Sequence, residues 1–234
     1  MPRDETLRIK RVTLATCSTV TGLVVVIDVL RAFTTAAFLF QQGVKEILLV
    51  SGVEESFALR EKMSDCILIG EVDGVKVPGF DFGNSPSQIE GHDLHNKQVI
   101  QRTTAGTQGV VFATQANIIL ATGLVTISAT VRYIKKLNPS QITLIQTGFF
   151  VGQDWGDDDV ACADAIECLL LNQTVSWKTI TQRVRASRSG TYYDGSGPHF
   201  PSQDLEMALE IDRFNFAMRV KRKQGLNILH CIEI

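Results

Sequence analysis

The sequence predicts an α/β fold: a three-layer α/β/α arrangement on a mixed, largely parallel sheet, with two intertwined α/β subdomains as a variant of the same plan. Short Val- and Ile-rich runs alternate with amphipathic stretches along the chain, the signature of repeated strand–helix units. Runs such as 23–27 and 47–50 are apolar at every position, as strands covered on both faces are. Several runs end on an acid or a hydroxyl-rich turn, where open α/β sheets collect their ligands. The 234 residues suffice for a sizeable core, and the chain reads as one α/β domain over residues 1–234.

Taken in order, GLVVVIDVL is a buried strand ending near Asp28, and RAFTTAAFLFQQ is a helix stopped by Gly43. KEILLV is the next strand, VEESFALREKM a helix, and CILIG a strand ending just before Glu71. The stretch GEVDGVKVPGFDFGNSP, residues 70–86, has no period, and so long an irregular segment inside a domain points to function. Val75, Val77, Phe80 and Phe82 anchor it against disorder. KQVIQR is a strand, and the turn TTAGTQG leads from it into a short helix. NIILAT and QITLIQT are strands flanking a helix around SATVRYIKKL. Helices are expected over 159–171 and 177–185, followed by the Gly/Ser/Pro-rich loop SRSGTYYDGSGPHFPSQ. DLEMALEIDRFNFAMRV reads as helix and LNILHCIEI as a last strand.

With 23 basic and 25 acidic residues there is no cationic excess. The short basic run 219–223 reads as a solvated helix end, so no nucleic-acid footprint is visible. The charged start, MPRDETLRIKRV, lacks the apolar core of a secretory signal. The most apolar segment, 23–29, is too short to span a bilayer and is interrupted by Asp28. The five cysteines form no C-x-x-C pair and read as reduced, mostly buried thiols of a cytoplasmic protein. His92 and His95 sit in a polar turn with no partner that completes a zinc pattern.

Asp28 closes an apolar run, where an uncompensated carboxylate is costly, and Glu71 repeats the pattern after CILIG. Such carboxylates on rigid elements suit Mg²⁺, which takes one or two of them along with waters and phosphate oxygens. Capping of the next helix, or pairing with Arg31, is the alternative for Asp28. Thr103, Thr104, Gly106 and Thr107 lie in a strand-to-helix turn whose N–H groups and hydroxyls could cradle an anion; simple capping would use the same residues. The planar guanidinium of Arg31 could grip a phosphate or sulfonate, and Lys76 is a flexible cation among glycines. In the run 157–159, Asp158 and Asp159 compete for a metal-ligand or general-base role, the other capping the helix. Asp28, Glu71 and Asp159 are thus the catalytic candidates, and Asp28, Glu71, Asp158 and Asp159 the metal candidates. No C-x₅-R stretch exists and no second aspartate follows Asp28 two residues on. Metal-assisted attack by water is therefore expected rather than a phospho-enzyme.

VVVIDVLRAFTTAA, GEVDGVKVPGFDFGNSP, RTTAGT and GDDDVACADAIECLL, in this order, closely resemble the 2-phosphosulfolactate phosphatases, the magnesium-dependent enzymes of coenzyme M biosynthesis. The G-F-D-x-G-N-S-P core at 79–86 and the D-V-L-R-A opening at 28–32 are its most specific elements, and SRSG at 187–190 followed by Asp204 resembles the family's final loop and helix. The resemblance implies a small anionic phosphate-ester substrate, Mg²⁺ as cofactor, Glu71 on the metal and Lys76 facing the anion. It implies that Asp81, Asn84 and Ser85 either contact the ligand or brace their turn. Asp28, Glu71 and one of Asp158 or Asp159 would gather about one cation, with Arg31, Thr104, Gly106 and Thr107 around the anion. Members read G-E-R-x-G and T-T-N-G-T where this chain has Val72 and Ala105. Both positions fall in loops that the resemblance assigns to the substrate, so its identity stays open between 2-phosphosulfolactate and a similar phosphorylated hydroxy acid. The alternative is a non-catalytic module of the same fold that binds an anionic metabolite. No nucleic-acid or membrane partner is expected, and a homodimer is allowed.

Overall fold

Period-two burial organises the molecule. In the computed structural model, which describes residues 7–63, 65–148 and 156–234, the strands are β1 (Arg8–Thr13), β2 (Gly22–Ile27), β3 (Glu46–Val50), β4 (Cys66–Val72), β5 (Val75–Lys76), β6 (Gln98–Arg102), β7 (Ala116–Thr122), β8 (Gln141–Gln146), β9 (Phe216–Lys223) and β10 (Leu226–Glu233). The helices are α1 (Ala32–Gln41), α2 (Val53–Lys62), α3 (Pro86–Ile89), α4 (Gly106–Phe112), α5 (Ile127–Leu137), α6 (Asp157–Leu170), α7 (Trp177–Ala186), α8 (Arg188–Thr191) and α9 (Ser202–Ala208). In β2, Val24 and Val26 enter one apolar cluster while Leu23, Val25 and Ile27 enter another. In β3, Ile47 and Leu49 join the first cluster and Leu48 and Val50 a third. Residues that alternate between two apolar faces demand cover on both sides of the sheet, and this produces the layers.

The strands form one sheet in the order β1-β8-β2-β7-β9-β10-β3-β6-β4-β5. Two parallel sets, β1-β8-β2-β7 and β3-β6-β4, are joined by the antiparallel hairpin β9-β10. The fold is therefore α/β on a mixed, largely parallel sheet. Twist of about 20–25° at each neighbouring pair accumulates over the steps from β2 to β6, turning one parallel set strongly against the other.

The central helices lie between the two sets. Phe33 and Phe38 of α1 share one cluster with Val24 and Val26 of β2 and with Ile47 and Leu49 of β3 and Val99 of β6. Helix α4 follows β6 and packs on both β3 and β2. Helices α5 and α6 cover the outer face of the first set, where Ile127, Val131, Ala161 and Ile166 meet Val25 and Ile27. Val53 and Phe57 of α2 cover the outer face of the second. This shared central layer brings the segments after β2, β4, β6 and β8 to one place.

Several expectations need correction. Residues 8–13 pair with β8 as an edge strand; their charge hides this, because the strand is half exposed. The segment expected as one helix from 204 onward is helix only to Ala208, and Phe216 opens β9. The basic run 219–223 accordingly lies on a strand, paired along its length with β10, and its last three residues are exposed. The irregular stretch 70–86 contains the two-residue strand β5, paired to the end of β4. Helix α6 begins at Asp157, and a short turn of helix, α8, interrupts the late loop. No helix among the described residues is long and apolar enough to cross a membrane.

Candidate active site

Beyond the ends of β2, β4, β6 and β8 opens a cavity of about 610 Å³. Asp28 stands on its floor, one residue past β2 and only 5% exposed. Its Oδ1 accepts the Ala32 N–H at 2.9 Å, so the carboxylate both ends the strand and starts α1. Its Oδ2 faces Gly106, where an added Cβ would lie 2.6 Å from that oxygen and 2.6 Å from the Ala32 Cβ. Only glycine allows the turn before α4 to come so close.

Glu71 enters the cavity from the end of β4. Its Oε1 accepts the Thr104 N–H at 2.5 Å, and its Oε2 accepts the Gly74 N–H at 2.6 Å and the Thr104 hydroxyl at 2.9 Å. The carboxylate thus ties the β4–β5 turn to the turn after β6. Asp159 is tied down in the same way. Its Oδ1 accepts the Val29 N–H at 2.9 Å and its Oδ2 the Gly148 N–H at 2.7 Å, joining α6 to the ends of β2 and β8. Asp158 differs: its Oδ1 is buried with no hydrogen-bond partner among the described residues, and the side chain lines the cavity.

Burial pushes the Asp28 carboxyl up to about 6, and the nearby Glu71 charge adds to this. Burial and the Asp28 charge push Asp158 up to about 7. Asp159 is also held well above the usual range, by burial and then by its two aspartate neighbours. Each shift is upward, so the folded protein binds more protons than the unfolded chain between about pH 4 and 7. The stability these carboxyls contribute is fully present below about pH 4 and is lost as pH rises through 6 to 7. Exposed pairs such as Arg185–Glu206 pull the other way but are worth little. In EDTA, the urea midpoint is expected to be higher at pH 5 than at pH 8. An equal or rising midpoint would show that the charged forms of these buried acids are not disfavoured in the folded protein.

The opposite wall comes from the turn 70–86 and the late loop. Arg31 is nearly buried between the rings of Tyr193 and Phe200, its guanidinium carbon 5.5 and 5.2 Å from their centroids. Its Nη1 donates to Asp204 Oδ2 at 2.8 Å and to the His199 carbonyl at 3.1 Å, and its Nη2 to the Gly74 carbonyl at 3.3 Å. Asp204, fully buried on α9, also accepts from the hydroxyls of Ser85 and Ser87 and the Ser87 N–H. Phe200 lies so close over Gly74 that a Cβ there would meet the ring at 2.3 Å; with φ at +82°, this position has two reasons to be glycine.

Of the candidates read from the sequence, Asp28, Glu71, Asp158, Asp159, Arg31, Thr104 and Asn84 line this cavity. Thr103 and Thr107 do not: each one's N–H bonds to the other's hydroxyl, at 2.8 and 3.0 Å, closing the turn before α4 from within. Lys76 is exposed and donates to the Asp81 carbonyl at 3.0 Å, and Ser85 is committed to Asp204. Lys76 and Ser85 border instead a small side pocket beyond Asn84. Asp81 braces the turn, accepting the Leu68 N–H at 2.8 Å. Among the described residues no three His, Cys, Asp or Glu side chains are grouped so as to hold a metal ion. The expected cage of Asp28, Glu71 and one of Asp158 or Asp159 is therefore not preformed, because N–H groups draw off the oxygens of Glu71 and Asp159. His92 packs on Phe82 and takes no part. The aromatic wall of Tyr192, Tyr193 and Phe200 was missed; the available signal was three aromatic residues in a loop otherwise rich in Gly, Ser and Pro.

Residues 10–223 match the family model of 2-phosphosulpholactate phosphatase. The chain belongs to this family. A probable 2-phosphosulfolactate phosphatase of Bacillus subtilis is 34% identical over 200 residues, covering 85% of this chain and 86% of the relative. Probable 2-phosphosulfolactate phosphatases of Carboxydothermus hydrogenoformans and Deinococcus radiodurans are 39% and 38% identical over 150 and 147 residues. Those matches cover 64% and 62% of this chain and 61% and 60% of the relatives. Membership puts the chain among the phosphoric monoester hydrolases.

Proposed function

We propose that this chain hydrolyses a small phosphorylated hydroxy acid, of the class to which 2-phosphosulfolactate belongs, to the free hydroxy acid and phosphate, with Mg²⁺ as cofactor. The observation that carries the reading is the unpaired, buried Oδ1 of Asp158 beside Asp28 in an acid-lined cavity. Two carboxylates whose charged forms are disfavoured, one with an unused oxygen, suit a hard cation that takes one or two protein carboxylates. Asp28 and Asp158 would hold it; Glu71 and Asp159 keep the surrounding turns in register. When bound, Mg²⁺ supplies charge neutralisation at the phosphoryl oxygens and a lowered pKa for the attacking water.

The remaining work falls to the chain's own groups. Arg31 has five N–H donors, of which three are taken by Asp204, His199 and Gly74, so two are left to orient an acid group of the substrate. Thr104, held by Glu71, shapes the floor beside Asp28. Leu30, Tyr192 and Phe200 keep bulk water from that side of the cavity. A cytoplasmic setting belongs to the same proposal, in keeping with the free, buried thiols of Cys17, Cys66 and Cys162.

Phosphate release from a panel of 2-phospho-hydroxy acids, with Mg²⁺ or with EDTA, tests the reading. Release in Mg²⁺ that stops in EDTA is expected, with inorganic phosphate as a competitive inhibitor. Well-folded protein that turns over no panel member would overturn it.

A further inference from the structure

We infer, resting on the phosphatase reading, that the preferred substrate carries one acid group besides its phosphate and an aryl-sized apolar substituent: a 2-phospho-3-aryllactate rather than an ester with a second strong anion. Three features of the cavity lead there. The first is charge. The described walls hold the carboxylates of Asp28, Glu71, Asp73, Asp158 and Asp159 and a single cationic side chain, Arg31. A phosphate on the bound Mg²⁺ and one carboxylate on Arg31 already exhaust the cationic groups of such a site, and a sulfonate would be left against like charge with only neutral donors such as Asn84 and Ser189.

The second feature is the donor count of Arg31. Asp204 and the carbonyls of His199 and Gly74 take three of its five N–H groups. The remaining two match the two oxygens of one carboxylate. The clamp also fixes where that carboxylate sits, because Asp204 and two aromatic rings hold the guanidinium on three sides.

The third is the wall left over. Leu30, Tyr192 and Phe200 line the cavity together. The Tyr192 and Phe200 rings are stacked at 5.4 Å and 28°, and Tyr192 is 42% exposed. A stacked pair with an accessible ring accepts an apolar or aromatic group by area burial and ring contact, and offers an anion no cationic partner. Its place next to Arg31 puts the apolar group beside the carboxylate, as on the third carbon of a lactate. Hydrolysis would break the bond between phosphorus and the ester oxygen and form one between phosphorus and the water oxygen. One water proton ends on the freed hydroxyl and the other stays on the phosphate.

Three esters of matched configuration decide the matter: 2-phospho-3-phenyllactate, 2-phospholactate and 2-phosphosulfolactate. Rates are read as phosphate release in Mg²⁺, and binding as the shift in Tm both in Mg²⁺ and in EDTA. The phenyl ester is expected to exceed the sulfonate ester at least tenfold in kcat/KM and to give the largest Tm shift, with 2-phospholactate between them. In Tyr192→Ala the tenfold preference should shrink below threefold. A sulfonate ester that equals or beats the phenyl ester in rate and binding overturns the inference, as does a preference untouched by Tyr192→Ala. If no ester releases phosphate, the phosphatase reading fails, and the order of Tm shifts still decides which substituent the cavity accepts.

Discussion

Asp158→Asn is expected to abolish Mg²⁺-dependent phosphate release while making the metal-free protein more stable. The displacement of this carboxyl from 3.8 to about 7 corresponds to roughly 4 kcal/mol against the charged form, at about 1.36 kcal/mol per unit. An amide of the same shape removes the charge and relieves the repulsion on Asp159, whose own value is raised by burial and then by the Asp158 and Asp28 charges. About half of that energy should reappear as stability at pH 8, since a buried amide still gives up its own hydration. Urea unfolding at pH 8 in EDTA should therefore show a gain of about 2 kcal/mol over the parent chain, and the gain should vanish as pH falls below about 4, where the parent carboxyl becomes protonated in both states. Phosphate release should fall to background at every Mg²⁺ concentration. A variant that keeps its Mg²⁺-dependent activity would remove Asp158 from the metal and return the role to Asp28 with Glu71 or Asp159. A variant that is less stable at pH 8 would show that Asp158 is neutral or paired in the parent.

The choice between Asp158 and Asp159 marks where the sequence stops being legible. Three adjacent acids at a helix start announce a site, but none of them caps α6, whose N-cap is Gly156 without a side-chain bond. Which one is tied down depends on donors far away in the chain: Val29 and Gly148 bond to Asp159. No local pattern encodes that. The same holds for Thr103 and Thr107, whose hydroxyls look like anion donors in TTAGT and instead bond to each other's N–H groups. The parallel strands were legible because each is apolar at every position, and a run such as 23–27 can be satisfied only by cover on both faces. Strands β1 and β9 were not, since both carry runs of exposed Arg and Lys, and a strand so charged resembles a helix end or a tail. The placing of α1 and α4 between the two parallel sets was not legible in detail. It follows from strand order, and strand order is set by pairings such as β7 with β9, which join residues about a hundred positions apart.

Asp204→Ala should be among the most damaging single substitutions in the chain. Asp204 is fully buried and its two oxygens serve four donors: Arg31 on one side, the Ser85 and Ser87 hydroxyls and the Ser87 N–H on the other. Alanine leaves the Arg31 guanidinium, only 4% exposed, without its counter-charge. Breaking a buried pair from one side costs about 3–5 kcal/mol, mostly through the stranded charge. The same change unties α9 from the turn at 85–87, so Arg31 loses both its partner and the wall it leans on. Urea unfolding should show a loss of about 3–5 kcal/mol, and in whatever folded protein remains KM should rise at least tenfold with a smaller fall in kcat, if, as proposed, Arg31 orients an acid group of the substrate rather than the reacting phosphorus. Asp204→Asn, which keeps acceptor and donor atoms in place, should recover part of the stability and less of the KM. The double variant Arg31→Leu/Asp204→Ala should be more stable than Asp204→Ala alone, since the stranded charge is gone, and the non-additivity measures the pair. If the double variant is less stable than Asp204→Ala, the ion pair is not what Asp204 is buried for. In that case its bonds to Ser85 and Ser87 are the reason for its place at the start of α9.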